Sequence, residues 1–182
     1  MGVLTLLNLA ACGAAWTIAD PTPGDDTGVA SAAASDRAPV GICVNEVMPA
    51  NDAAVADETG AFPDWIELFN PTATPVSLGD WTLGNDAEET GYPMDAAVTV
   101  PAFGYRLLWA DEAPTLGPYH LPFSLDADGG EAVLRAPDGS AAVLRWGEVA
   151  ADFSVARIPD CCDPDDCLDF VWRGTPGTTN GQ

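Results

Sequence analysis

Short apolar runs, separated by turn residues, recur along the chain from residue 42 onward. None of these runs continues at the spacing of an amphipathic helix. The last two runs flank the turn sequence PDG (137–139), in which proline presets the backbone angle and glycine accepts a positive φ. About eight strands at this spacing predict an all-β fold, an immunoglobulin-like antiparallel β-sandwich. The predicted strands are ICVNEVM (42–48), DWIELFN (64–70), VSLGDWTLG (76–84), AAVTV (96–100), GYRLLWA (104–110), HLPFSL (120–125), EAVLRA (131–136) and SAAVLRW (140–146).

The first forty residues follow a different pattern. An apolar run, Val3 to Ala11, ends in LAAC and resembles a bacterial lipoprotein signal, although no Lys or Arg precedes it. The resemblance implies cleavage after residue 11 and lipid attachment at Cys12; the alternative is a short apolar N-terminus with an incidental cysteine. Residues 12–40 are rich in Ala, Asp, Pro and Gly, which is typical of a flexible tether reaching about 30 Å. We therefore expect a signal peptide at 1–11, a tether at 12–40 and a sandwich at 41–180.

The charge balance limits the partners that this chain can have. It carries 28 acidic residues against 6 basic ones, all arginine, for a net charge of −22. Phosphate backbones and anionic membrane surfaces repel such a chain, whereas basic partners and divalent cations are attracted to it. We expect no nucleic-acid partner, and contact with a membrane only through the lipid. Solubility is the simplest role for the acidic surface.

The order of the motifs resembles the lamin tail domain in its bacterial secreted form. The matching pieces span residues 42–180 and include VNEVMPAN (44–51), DWIELFNPT (64–72), VSLGDWTLGND (76–86), VPAFGYRLLWADE (100–112), LPFSLDADGGEAVLRAPDG (121–139), DFSVARIPD (152–160) and TPGTTN (175–180). The resemblance implies an immunoglobulin-like sandwich without catalytic residues that serves as a module of secreted or surface proteins. The DNA binding of nuclear relatives depends on basic surfaces, and we do not transfer it to a chain that lacks lysine.

Glu67 is the residue that most suggests an enzyme, because it interrupts an apolar strand. Strand alternation places Ile66 and Leu68 toward the core and Glu67 outward, partly shielded by the flanking aromatic rings. Glu46 belongs to the preceding strand, and two carboxylates at about 5–10 Å would suit a glycosidase. A sandwich face rarely forms the cleft that such chemistry requires. We interpret both residues as scaffold and predict no enzyme; a hydrolase using them is a distant alternative.

Other candidate residues favour at most a binding role. His120 has no partner in sequence for a triad or a zinc site. Trp65, Trp81 and Trp109 are possible sugar platforms in a carbohydrate-binding accessory domain, although core positions are preferred for the last two. We expect no cofactor; the alternative is calcium, for which the tail offers a dense group of carboxylates without EF-hand spacing. These carboxylates are Asp160, Asp163, Asp165, Asp166 and Asp169.

Four cysteines remain after Cys12, an even number that suits an oxidising compartment. A bond between the adjacent Cys161 and Cys162 would be strained, so two pairings stay open. Either Cys43 bonds to Cys161 and Cys162 to Cys167, or Cys43 bonds to Cys162 and Cys161 to Cys167. The sequence thus predicts a lipid-anchored, extracytoplasmic binding or structural module, on the outer membrane. Its partner is an unidentified protein or surface polymer.

Overall fold

The computed structural model describes residues 41–86, 89–163 and 167–180. The chain divides into two units, 1–33 and 34–182, and all of the described residues belong to the second. The predicted signal peptide, the tether and Cys12 lie outside the described residues. In the described part of the chain, no helix is long and apolar enough to cross a membrane.

The described residues contain twelve β-strands and one short 3-10 helix, Pro114–Leu116. The strands are β1 (Cys43–Met48), β2 (Asp64–Phe69), β3 (Val76–Ser77), β4 (Thr82–Gly84), β5 (Tyr92–Pro93), β6 (Thr99–Val100), β7 (Tyr105–Ala110), β8 (His120–Leu121), β9 (Gly130–Arg135), β10 (Ala141–Trp146), β11 (Phe153–Arg157) and β12 (Leu168–Trp172).

The strands form the predicted immunoglobulin-like sandwich. A six-stranded sheet has the order β12-β11-β1-β2-β7-β8, a four-stranded sheet has the order β10-β9-β4-β5, and β3 pairs with β6. All of these pairs are antiparallel except β7 with β8. The all-β class is confirmed, but the hydrophobic pattern did not predict β5, β11 and β12. The predicted strand 76–84 is in fact two strands, β3 and β4, which a turn separates: the Trp81 N–H donates to the Leu78 carbonyl at 2.8 Å.

The main core lies between the two larger sheets. Ile66, Leu68 and Leu108 come from the six-stranded sheet, and Leu134 and Leu144 come from the four-stranded sheet; all are fully buried. Their alternation along each strand is the one that the hydrophobic pattern predicts. Each of these side chains contributes about 2–3 kcal/mol by burial, which anchors the strands that carry the site described below.

The outer face of the six-stranded sheet is also covered. Met48, Trp65 and Trp109 form a second buried cluster, against which the loop residues Ala54 and Val55 pack. Trp65 is 0% exposed and Trp109 is 8% exposed.

The loop that covers this cluster is held by the buried Asn51. Its side-chain amide donates to the carbonyls of Val55 and Pro63, at 2.6 Å each, and its oxygen accepts from the Ala54 and Val55 N–H groups. Trp65 as a sugar platform is therefore wrong, because its ring is fully buried in this cluster. The preferred core positions are confirmed for Trp109, which belongs to the same cluster, and for Trp81, which is half-buried against the main core.

Candidate functional site

The two suspected glutamates lie directly opposite each other on adjacent strands. Glu46 of β1 pairs with Glu67 of β2, and a bulge between Val44 and Glu46 brings Asn45 beside them. Both carboxylates are 0% exposed. Glu67 points to the outer face of the sheet as predicted, but the prediction that it is only partly shielded is wrong. Residues 174–180 cover it completely, and we call this segment the C-terminal clasp.

Glu46 binds the start of the C-terminal clasp. The Thr175 N–H donates to both of its carboxylate oxygens, at 3.1 and 3.2 Å, and the Thr175 hydroxyl donates to Oε2 at 2.9 Å. The Ser154 hydroxyl of β11 donates to Oε1. Burial raises the pKa of Glu46, and these donors only partly offset that effect. Glu46 therefore joins β1, β11 and the clasp.

Glu67 binds the next part of the C-terminal clasp. The Gly177 N–H donates to Oε2 at 2.5 Å, and the Asn45 amide donates to Oε1 at 3.4 Å. Both donors are neutral. Burial raises the pKa of Glu67 to about 8, with the neighbouring Glu46 charge adding to the effect. Glu67 is therefore a carboxyl group that the fold favours in its neutral form near neutral pH.

Asp160 fastens the end of the C-terminal clasp. Its Oδ1 accepts hydrogen bonds from the Asn45 amide at 3.0 Å and from the Asn180 N–H at 3.1 Å. Its Oδ2 accepts from the Tyr105 hydroxyl at 2.6 Å. Asn180 is itself buried and donates to the Arg157 carbonyl at 3.1 Å. Both oxygens of this calcium candidate thus already bind scaffold donors.

Gly174 allows the C-terminal clasp to lie directly on Trp65. Its φ is +63°, in a region that residues other than glycine rarely adopt. A Cβ at this position would lie 2.6 Å from Trp65 Cζ2 and 3.3 Å from Glu46 Oε1. Any side chain here would push the clasp away from the sheet.

The two disulfides follow the first of the pairings that the sequence left open. Cys43 bonds to Cys161 across 118 residues, and Cys162 bonds to Cys167. The long bridge joins β1 to the residue after Asp160, and the Cys161 N–H donates to Asn45 Oδ1 at 3.0 Å. The covalent link therefore reinforces the same contact that the carboxylates make.

Arg157 completes the link between the two sheets. This fully buried guanidinium donates to the Val44 carbonyl and to the Val143 carbonyl, at 2.6 Å each, and also to the Cys162 carbonyl. Burial lowers its pKa to about 10. Its donors satisfy carbonyls on β1 and β10 and in the disulfide segment, so its role is structural.

The remaining calcium candidates do not converge in the described residues. Asp163 and Asp169 are exposed, and Asp165 and Asp166 lie outside the described residues. Within residues 41–86, 89–163 and 167–180, no three His, Cys, Asp or Glu side chains come together as a metal site requires.

His120 does have charged partners, which sequence reasoning missed. The ring is 3% exposed; Nδ1 lies 2.6 Å from Asp111 Oδ2, and Nε2 lies 2.7 Å from Glu58 Oε1. Burial disfavours the charged imidazole, but the hydrogen bonds to Asp111 and Glu58 outweigh it and raise the pKa of His120. Glu58 lies 62 residues away along the chain, so no local motif could have revealed it.

Comparison with known proteins agrees with this architecture. Residues 35–150 match the family model of the Lamin Tail Domain. The chain belongs to the lamin tail domain family. No curated protein matches the chain. Glu46 and Glu67 lie inside the matched range of this lamin tail domain. The strands β11 and β12 and the C-terminal clasp that covers the glutamates lie beyond it.

Proposed function

We propose that this lamin tail domain is a non-enzymatic, lipid-anchored extracytoplasmic module that binds a partner or has a structural role. The immunoglobulin-like fold of the family is typical of interaction and structural modules. The observation that carries the proposal is the closure of Glu46 and Glu67 beneath the C-terminal clasp. Both side chains are 0% exposed and bind donors from the clasp.

This closure argues against the hydrolase alternative. A general acid must come within hydrogen-bond reach of the proton that it transfers to a substrate, directly or through one water. Substrate could reach Glu67 only if the Gly177 contact opened and residues 174–180 left the sheet. The raised pKa of Glu67 has a structural cause, which is burial beside Glu46. Perturbed carboxyl groups occur in structural networks as well as in active sites.

Two observations support the location. The disulfides Cys43–Cys161 and Cys162–Cys167 suit an oxidising compartment. The LAAC motif supports lipid attachment at Cys12.

Binding can be tested by cross-linking the native protein on producing cells and recovering its neighbours. We expect a partner that rebinds the purified protein saturably, and that rebinds Glu67→Gln equally well, because this side chain is sealed. The reduced and unfolded chain serves as the control. Glycosidase activity that Glu67→Gln abolishes, with no recovered partner, would replace this proposal with the hydrolase.

The anchor can be tested with Cys12→Ser. We expect this variant to lose incorporated fatty acid and to leave the membrane fraction, while Thr17→Ser, an equally conservative change in the predicted tether, stays with wild type. Membrane partition of Cys12→Ser equal to that of wild type would contradict the anchor and leave the binding role untouched.

A further inference from the structure

Strand β12 leaves two large aromatic side chains in solvent. Phe170 and Trp172 are two residues apart and therefore share one face of the strand; each is 57% exposed. In the register of β11 with β12, Phe153 lies opposite Trp172 and Val155 lies opposite Phe170. Val155 is part of the main core. The two exposed rings thus lie on the side of the six-stranded sheet that faces the core, at the edge of that sheet.

Phe170 and Trp172 are exposed because the six-stranded sheet is wider than the four-stranded sheet that packs on it. β12 is the last strand of the six-stranded sheet, and β10 is the last strand of the four-stranded sheet. The space between these edges is a groove with two adjoining parts of about 160 and 310 Å³, and Phe170 lines both. We call it the edge groove; its walls are residues 145–148 and Ala150 on one side, and Phe153, Val155 and 168–170 on the other.

The rings of Phe153 and Trp172 form an aromatic rim on the edge groove. The rings of Phe153 and Trp172 lie 4.8 Å apart, centroid to centroid, at an angle of 60°. This contact extends the apolar surface from the groove to Trp172. An exposed apolar surface of this kind, with polar residues around it, is typical of an interaction site.

The charged residues that line the edge groove are two carboxylates and one arginine. Glu148 and Asp169 line it and are exposed. Arg145 also lines it, and its guanidinium is bonded to Glu131 at 3.0 Å. The whole chain carries a net charge of −22, which draws cationic partners toward every such surface.

This charge selects among the occupants of the edge groove. A second copy of the chain carries the same charge and is repelled. A neutral sugar is not attracted by the negative charge. A Lys or Arg side chain can make two favourable interactions, because its cation can lie over the face of Trp172 or Phe170 and beside a carboxylate.

We propose that the edge groove binds an extended peptide segment rich in Lys and Arg, on a basic partner protein. The cationic side chains lie over Phe170 and Trp172, and Glu148 and Asp169 complement their charge. This inference rests on the proposed binding role and names the surface and the chemistry of the partner.

The test uses the mature protein and a fluorescent peptide of about eight residues, long enough to span roughly 26 Å, in which Lys and Arg alternate with Gly. The control peptide has Gln at every Lys and Arg. Anisotropy at about 0.15 M salt, where exposed charges are screened beyond about 8 Å, measures the affinity. We expect saturable binding of the basic peptide and none of the control peptide.

Matched variants locate the site. Trp172→Ala and Phe170→Ala should each weaken binding about tenfold, in line with a cation over an aromatic face. Phe103→Ala removes an aromatic ring that is 66% exposed and lies outside the edge groove, and it should bind as wild type does. Glu148→Gln should weaken binding more than Glu112→Gln, an equal loss of charge from another exposed residue.

Three outcomes would overturn the proposal. The first is no saturable binding, and the second is equal binding by Trp172→Ala and Phe103→Ala, which would show only general attraction to an acidic protein. The third is binding of a neutral oligosaccharide, or dimerisation in sedimentation, that Trp172→Ala abolishes. Cross-linking on cells distinguishes failure of this proposal from failure of the proposed function. If wild type and Trp172→Ala recover the same cellular partner equally well, the binding role stands and the edge groove is rejected as its surface.

Discussion

The buried Glu67 should contribute a decrease in the stability of this protein as pH rises, and Glu67→Gln should remove that contribution. Its pKa is about 8 in the folded chain, against 4.5 for an ordinary glutamate. Between these two values the folded state holds a proton that the unfolded state has released. Stability from this group is therefore complete below the unfolded pKa and is lost as pH rises through the folded pKa.

The size of the effect follows from the two pKa values. Each unit of difference between the folded and unfolded pKa corresponds to about 1.4 kcal/mol. The unfolding free energy of the wild type should therefore fall by roughly 4 kcal/mol through this group between about pH 5 and pH 9. The Glu67→Gln side chain would keep the shape and an oxygen that can accept from the Gly177 N–H, but it cannot ionise. We expect the variant to match or fall slightly below wild type at the lower pH and to exceed it at the higher pH.

Urea unfolding at several pH values measures this difference. The free energy of unfolding is compared for wild type, Glu67→Gln and Glu112→Gln, with disulfides intact. The raised pKa values of Glu46 and His120 act in the same direction, so only the difference between wild type and variant isolates Glu67. Equal pH dependence in wild type and Glu67→Gln would refute the argument that burial holds this carboxyl neutral.

Three further predictions concern the C-terminal clasp, the long disulfide and the acidic surface. Gly174→Ala should lower the unfolding free energy by about 2–4 kcal/mol, because the added Cβ would meet the Trp65 ring. Gly177→Ala is the control: Gly177 also has a positive φ but open space where a Cβ would lie, so this change should cost about 1 kcal/mol. Equal losses in urea unfolding would contradict the clash with Trp65. Replacing Cys43 and Cys161 together by Ala should cost about 2–5 kcal/mol in the same assay without reductant, and peptide mapping of the oxidised wild type should recover these two cysteines joined. The net charge of −22 predicts no saturable binding of duplex DNA near physiological salt, and a salt-sensitive gel shift would show otherwise.

Much of the fold could be predicted from local sequence. Ile66 and Leu68 alternate with Trp65 and Glu67, so their assignment to the core follows from strand geometry. The PDG turn between β9 and β10 follows in the same way, and the pairing of Ala136 N with Ser140 O at 2.8 Å closes that hairpin. The omitted β12 begins in a cysteine- and aspartate-rich segment that favours a loop, and its pairing with β11 overrides this local preference.

The candidate site was predictable only in part. Local sequence patterns identified Glu46, Glu67 and the four disulfide cysteines as residues of interest and reduced the disulfide pairings to two. Strand alternation predicted Glu67 in partial contact with solvent, because no rule for a single strand shows what lies above that strand. The residues that cover Glu67 come from a segment 110 positions later in the chain.

The sequence by itself determined the class of the fold, the residues of the core face and the sign of the charge, since each depends on composition or on neighbours along one strand. The tertiary structure alone decided that Glu67 is sealed, that Cys43 bonds to Cys161 and that Trp172, rather than Trp65, reaches solvent. Each of these depends on which distant segment covers a face of the sheet. Covering a face requires closure of a long loop, and the contacts that offset its entropic cost are spread over Asn45, Asp160 and the C-terminal clasp.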